Sequence, residues 1–383
     1  MKRIFISGVI MAFIITLGFK DLNAAGVVQN NSYAPTVTDA TLAPLLNPLL
    51  TSGWASFINT IDTTIKENWN SQNKLANGLG NANAYSSQAA NLDGYHGYDL
   101  FAIMVGFGFG AQFPNKVPSN PIDMKNAPSD ALNDIKDKGD VYAGLGVGAA
   151  VNFGVNGKII GFKNIYFNVK YGTYSYDTTD KGNELKAKMT TFGLGVNYQW
   201  VAHKNLIANI VKWRGITFGS GLQYNQNKVD MTVAGLENIY QDLNTTPIPG
   251  YGTYRLALSP DIKLGYDAKT YTIPFDVNTS LRVLWLLNLN VGAGVDLVFG
   301  KTDINIGQTS TAWIENAATG QHISTDGQVV IDASTKNVKP TFLRPRVQIG
   351  AGVTIGPLTA VNLSVTYYIP DGAYAGVSAG IVW

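Results

Sequence analysis

The chain has 383 residues, of which 14% are charged and 11% aromatic, with 41 glycines and no cysteine. A soluble domain carries about 25% charged residues, and a disordered chain carries fewer aromatics and more charge, so neither class fits. The absence of cysteine excludes a disulfide framework, a thiolate metal site, a cysteine nucleophile and a lipid on an N-terminal cysteine. A formal charge of +2 is too small for a nucleic-acid footprint.

Lys2 and Arg3 precede an apolar stretch over 4–19, and small residues follow at Asn23, Ala24 and Ala25. This is the layout of a secretory signal peptide, assigned to residues 1–24; its core of about 15 residues is short of the roughly 20 a spanning helix needs. Cleavage takes the formal charge from +2 to about zero, because Lys2, Arg3, Lys20 and Asp21 leave together. Residues 25–97 read as a separate periplasmic or plug segment. Prolines interrupt 42–50, after which Ser52 can cap an amphipathic helix over 52–70 whose Trp54, Ile58, Ile61, Ile65 and Trp69 follow helical spacing. That helix fits under the barrel in the periplasm, inside the lumen as a plug, or at the membrane interface. Residues 71–97, rich in Asn, Gly, Ala and Ser, read as a linker.

From residue 98 to the end the pattern changes to period two. Over 101–113 the odd positions read Phe, Ile, Val, Phe, Phe, Ala, Phe, while the even ones are Ala102, Met104, Gly106, Gly108, Gly110 and Gln112. Windows at 141–155, 165–172, 192–200 and 216–225 repeat the split, as do 254–266, 271–283, 287–299, 343–355, 359–369 and 373–383. Soluble strands average about 5–6 residues, whereas tilted membrane strands need about 9–11, and most of these windows reach that length. Gly, Asn and occasional charges share the face opposite the apolar one, as expected for the interior of a membrane barrel. The predicted fold is therefore an all-β transmembrane antiparallel barrel over 98–383, preceded by a short helical segment. About eleven windows are visible and single-chain bacterial barrels favour even numbers, so about twelve strands are expected, with 10 or 14 as alternatives and the uncertain stretch at 201–253. Turns are legible at Pro370-Asp371-Gly372, Gly356-Pro357 and Asp267-Ala268. Phe113, Tyr198, Trp200, Trp213, Tyr254, Tyr266, Tyr271, Trp285, Tyr367 and Trp383 are candidates for two interfacial girdles.

The final strand places Val377, Ala379, Ile381 and the terminal Trp383 on one face. An aromatic end on an alternating strand is similar to the C-terminal insertion signal of bacterial outer-membrane barrels. Outer-membrane lipid and the barrel-assembly machinery are the partners this implies. Lys170, Arg255, Asp261, Lys263, Asp276, Arg282, Asp296, Arg344 and Arg346 fall on the polar face and are candidate lumen charges. With six cations against three anions they suit a weakly anion-preferring pore, or they pair with one another across a plugged lumen.

Two GxGxxA matches, starting at Gly106 and Gly144, would bind a dinucleotide only where a strand turns into a helix, and no helix follows either. His96, His203 and His322 are far apart in the chain and form no catalytic constellation. Asp134, Asp137 and Asp140 recur every third residue and lack the closing Glu of a calcium loop. Catalytic, cofactor and metal sites are therefore not expected.

The signal peptide, the stretch 94–113 (GYHGYDLFAIMVGFGFGAQF) and the aromatic C-terminus resemble the spirochaetal variable surface proteins. The resemblance implies surface exposure, antigenic variation in loops and homo-oligomers. The function expected is a non-enzymatic surface antigen or host-interaction protein whose loops 114–140, about 227–253 and 301–340 meet antibodies or host molecules. A passive porin is the alternative, and a barrel hydrolase, needing clustered histidines at one rim, a remote third.

Overall fold

The computed structural model describes residues 27–69, 72–92, 98, 100–113, 144–180, 182–207, 210–234, 238–243, 247–284, 286–355 and 359–383. The signal peptide, loop 114–140, His96, Trp285, the aspartates at 134, 137 and 140, and the Gly356-Pro357 turn lie outside these residues. A short strand β1 (Val27–Asn30) comes first, then helices α1 (Ala43–Trp69) and α2 (Gln72–Ser86). Thirteen strands follow: β2 (Phe101–Gln112), β3 (Gly144–Asn156), β4 (Ile165–Asp180), β5 (Asn183–Val201), β6 (Lys204–Ile207), β7 (Val211–Val233), β8 (Ile239–Asp242), β9 (Tyr254–Val283), β10 (Leu287–Asn316), β11 (Gly327–Val338), β12 (Leu343–Ile355), β13 (Thr359–Tyr368) and β14 (Gly372–Val382).

Ten of these close a ring in the order β10-β12-β13-β14-β2-β3-β4-β5-β7-β9, with β9 pairing back to β10, and every ladder is antiparallel. The seam between last and first strand runs from Gly372 opposite Gln112 to Val382 opposite Ala102. Closure leaves no edge strand in the ring, as a backbone surrounded by hydrocarbon requires; the β3–β4 ladder is the shortest, Val151–Asn156 against Tyr166–Tyr171. The count is thus ten, the lower alternative, and the reason is local. The windows 254–266 and 271–283, read as two strands with a turn at Asp267-Ala268, are one unbroken strand, paired residue by residue with β10 from Tyr254–Asn316 to Val283–Leu287. Both strands have 30 residues.

The outward face explains the length. On the lower part of β9, Tyr271, Phe275, Val277 and Leu281 are exposed, as are Leu287, Leu289, Val291 and Phe299 on β10, Val347, Ile349 and Val353 on β12, and Val105, Phe107 and Phe109 on β2. This apolar belt covers about 13 residues of a strand, roughly 30 Å along the membrane normal at a tilt near 45°. Phe101 stacks on Trp383 at its lower rim, with Tyr198 and Trp200 exposed at the same level, while Phe299 and Phe342 pack edge to face at the upper rim. Tyr254 and Tyr266, expected in the girdles, are instead buried on the inner face. No described helix is long and apolar enough to cross a membrane; the strands make the crossing.

Above the belt β9 and β10 continue for some 15 residues, and a curved wall forms on them. β11 and β12 lie in line along one edge of β10, and β7 and β8 in line along an edge of β9. Segment 301–340, expected as a loop, is therefore mostly a β-hairpin, and 227–233 belongs to β7.

Candidate functional site

Polarity swaps faces along β9 while the pleat stays in phase. Below residue 270 the inner, even positions are Thr272, Asp276, Asn278 and Ser280; above it they are Tyr254, Leu256, Leu258, Leu264, Tyr266 and Ala268, all buried. The odd positions go from Phe275 and Val277 in the belt to Arg255, Asp261, Lys263 and Asp267 on the wall. Lipid bathes the outer face below the rim and water above it, so the side that must be apolar inverts. Arg255, Asp261 and Lys263 accordingly face outward on the wall and do not line the lumen, a correction to the sequence-based expectation.

The apolar inner wall holds the N-terminal segment. Asp39 Oδ1 accepts hydrogen bonds from the Thr41 and Leu42 amides, at 2.8 and 3.0 Å, and thereby caps α1. The helix therefore starts at Ala43, upstream of the expected Ser52 cap, with Pro48 inside its N-terminal part. Leu42, Leu46 and Leu50 pack against Val37, Tyr254 and Ile314, and Trp54 and Ile58 reach Leu256, Leu258, Ala312, Val329 and Ile331. This is a dry core above the membrane, each buried leucine contributing about 1.5–3 kcal/mol.

Residues 72–92, read as linker, fill the lumen. Leu75, Ala76 and Leu79 of α2 pack on Tyr266, Ala268 and Ile304 near the upper rim. Deeper, the helix backbone lies against strand backbone, which only glycine permits. A Cβ at Gly144 would stand 2.2 Å from the Gly78 carbonyl oxygen, at Gly146 2.3 Å from that of Ala82, and at Gly148 1.9 Å from that of Ser86. On β2, Gly110 and Gly106 bear in the same way on Ala82 and Ala90. The glycines of the two dinucleotide decoys thus form the groove in which the plug sits.

Polar side chains fix the plug. Asn83 Nδ2 donates to the Asn225 carbonyl and Thr270 Oγ1, both at 2.9 Å, while Asn83 Oδ1 accepts from Asn225 and Asn227 at 2.9 and 2.7 Å. Ser87 Oγ donates to Gln223 Oε1 at 2.8 Å, and Asn152 Nδ2 to the Ala90 carbonyl at 3.0 Å. Tyr85 stacks on Tyr368 with ring centroids 3.9 Å apart, and its hydroxyl donates to Gln112 at 3.0 Å. Nothing in the residue types of these partners marked them from sequence; the alternating glycines were the available signal.

The remaining candidate charges do face inward. Lys170 is 2% exposed and donates to the Ser87 carbonyl and to Asn91 Oδ1. Arg346 lies between Asp296, at 2.9 Å from Nε, and Asp276, and also donates to Gln348 at 2.6 Å. Arg344 pairs with Asp371 at 2.6 Å and donates to Thr341 at 2.9 Å. Arg282 is half-buried on the inner face toward the lower rim, opposite Asn288. Beside the plug a polar cavity of about 40 Å³, lined among others by Asn91, Lys170, Gln223 and Asp276, has room for a few waters.

Val377, Ala379, Ile381 and Trp383 point outward into the belt, where Val377 opposes Phe107 across the seam. On the wall, Glu315 accepts from Arg255 at 2.8 Å and from Trp313 Nε1 at 2.8 Å, and His322 stacks on Trp313. Burial raises the Glu315 pKa, but the bonds from Trp313 and Arg255 and the Arg255 charge outweigh it and hold the carboxyl below its usual value. His203 follows β5 at the lower rim, far from His322. Among the described residues no group of three His, Cys, Asp or Glu could hold a metal ion.

A closed ring with a lipid-facing belt, a polar interior and a chain segment within it defines a plugged outer-membrane β-barrel, whose place is the bacterial outer membrane. The chain belongs to the Lsa36-like family, whose model matches residues 32–383. No curated protein matches it. Solved structures similar to it include the translocator domain of the autotransporter NalP from Neisseria meningitidis, at 8% identity over 75% of this chain and 90% of that one, TM-score 0.30. The Ralstonia pickettii toluene transporter TbuX is similar at 8% identity over 80% and 95%, TM-score 0.25. LpxR from Salmonella typhimurium follows at 11% identity over 73% and 100%, TM-score 0.23. At such TM-scores the hydrogen-bonded ring itself, not these likenesses, defines the class.

Proposed function

We propose that the protein is a non-enzymatic, non-conducting surface barrel that holds a rigid β-wall outside the cell as a surface antigen or host-interaction platform. The observation that carries this is the lumen segment 72–92, seated backbone to backbone in a glycine groove and tied down by Asn83, Ser87 and Lys170. A passive porin would need that segment to leave. The orientation follows from the connections. The lower rim has short links such as 284–286 between β9 and β10, and the upper rim has the long ones, as in outer-membrane barrels whose short turns are periplasmic. The wall displays Arg255, Asp261, Lys263 and Asp267 to water, a polar surface of the kind that antibodies and host ligands contact. The resemblance to spirochaetal variable surface proteins supports the antigenic role, with the wall hairpins as well as loop 114–140 as the variable surface.

Planar-bilayer recording of refolded protein tests the closed state. A silent bilayer is expected from material whose native fold is verified by its heat-modifiable gel mobility; defined conductance steps would establish the porin instead. Antibodies raised against the β10–β11 hairpin, residues 302–338, are expected to bind intact cells.

A further inference from the structure

We propose that the barrel is the export route for its own N-terminal segment, so that residues 27–69 end on the cell surface although the barrel begins at the periplasmic rim. This rests on the orientation given above. Its grounds are the path of the chain.

At the lower rim the Leu100 amide donates to the Trp383 carbonyl at 3.0 Å, and Asn156 Nδ2 to the Tyr98 carbonyl at 2.8 Å, which fixes the point where the chain enters β2. Followed backward from there, the chain climbs. Leu92 packs with Ala102 and Met104, Ala90 lies on Gly106, Asn83 bonds Asn225 and Thr270, and Leu75 meets Tyr266 and Ile304 at the upper rim. α1 then continues up the inside of the wall to Leu46 beside Tyr254 and Ile314, near the far ends of β9 and β10. The chain turns there, Val37 bridging to Ser324, and comes back along the wall edge, where β1 pairs antiparallel with β11, Val27 opposite Ser334. Residues 27–69 therefore lie wholly above the belt, and 72–92 cross at membrane level inside the ring.

Every strand of the ring is hydrogen-bonded to both neighbours, including at the β14–β2 seam and the β9–β10 ladder, the shortest ladder being β3–β4, where Val151–Asn156 meet Tyr166–Tyr171. Once these ladders have formed, the open way into the lumen is along the barrel axis. The stretch 72–92 suits passage: Lys74 is its one charged residue, and most of the rest are Ala, Gly, Asn and Ser. The wall supplies the pull. Leu42, Leu46 and Leu50 find apolar cover only above the rim, and β1 finds its strand partner only there, so folding outside favours the exported state without another energy source.

Because the chain has no cysteine, single cysteines report topology cleanly. Thr41→Cys marks the exported segment, Asp180→Cys the end of β4 above the rim and Lys163→Cys the periplasmic link between β3 and β4; all three native residues are exposed. With a membrane-impermeant maleimide on intact cells, positions 41 and 180 are expected to label fully and position 163 only after the outer membrane is permeabilised. Labelling at 180 with protection at 41 would overturn the export proposal and leave the surface-wall reading standing. Labelling at 163 with protection at 180 would overturn both. The route has its own test, a peptide tag after Asn31 combined with a Thr38→Cys/Thr51→Cys pair that closes a loop before export. Tag exposure on intact cells is expected to fall several-fold under oxidising growth and return under reducing growth; equal exposure in both would overturn passage through the lumen.

Discussion

Arg346 bridges Asp296 and Asp276 in the wall of the lumen, at 1% side-chain exposure against 2% and 13% for its partners. Removing the cation leaves two carboxylates without their counter-charge, and breaking a buried pair costs about 3–5 kcal/mol. Arg346→Gln should therefore destabilise the barrel by about that much in denaturant titrations in detergent, and adding Asp276→Asn with Asp296→Asn should restore most of the loss. Gly146 shows the opposite constraint, no spare space. With a Cβ 2.3 Å from the Ala82 carbonyl, Gly146→Val must push α2 aside, an overpacking cost of about 1–3 kcal/mol measurable as a lower unfolding midpoint, whereas Val147→Ala on the lipid side should leave the plug in place. At Glu315 the folded-state pKa is depressed, so its stabilisation is present above the unfolded glutamate pKa and is lost as pH falls through the folded value. Amide exchange at 255–258 and 312–316 should accelerate in that acidic window, and Glu315→Gln should flatten the response.

Strand β9 carries two environments on one pleat. Its odd face meets lipid at Phe275 and water at Asp261, so one substitution should have two outcomes. Phe275→Arg should cost about 2–4 kcal/mol near the bilayer midplane and reduce the amount of assembled barrel, while Asp261→Arg should change stability by less than about 0.5 kcal/mol. Comparable loss for both variants would contradict the inversion at residues 267–270. The same element shows why one strand reads as two windows in the sequence. A phase slip of one residue in the apolar pattern normally signals a turn, and Asp267-Ala268 supplied turn-like residues; the alternative cause, a change of solvent along a straight strand, leaves the identical trace in sequence.

At the scale of the whole molecule, the N-terminal segment serves as lumen filler below the rim and as the apolar core of the wall above it. Deleting residues 27–92 removes both. The remaining barrel, where it assembles, should show conductance steps that the full protein lacks. It should also bind a hydrophobic dye such as ANS, because Tyr254, Leu256, Leu258 and Tyr266 lose their cover. A silent, dye-free truncated barrel would mean that the lumen closes by other means. A plug was among the readings of 25–97, but that residues 72–92 form it was illegible because α2 lacks an apolar stripe: Gln72–Ser86 is mostly Asn, Ala and Gly, which reads as linker in water and as a close-packing helix only inside a glycine-lined tube.

Period-two alternation over membrane-length windows, a short apolar leader and a polar opposite face were enough, without coordinates, to specify a lipid-embedded barrel, its rough extent and the outward face of its last strand. These are local properties, set by which side of each residue meets hydrocarbon. The number of strands in the ring, the wall above the membrane, the pairing of Arg346 and the passage of residues 72–92 through the lumen depend on which segments meet across long separations. Only the folded chain settles those, because one pattern of apolar and polar residues satisfies lipid outside, or protein inside, equally well.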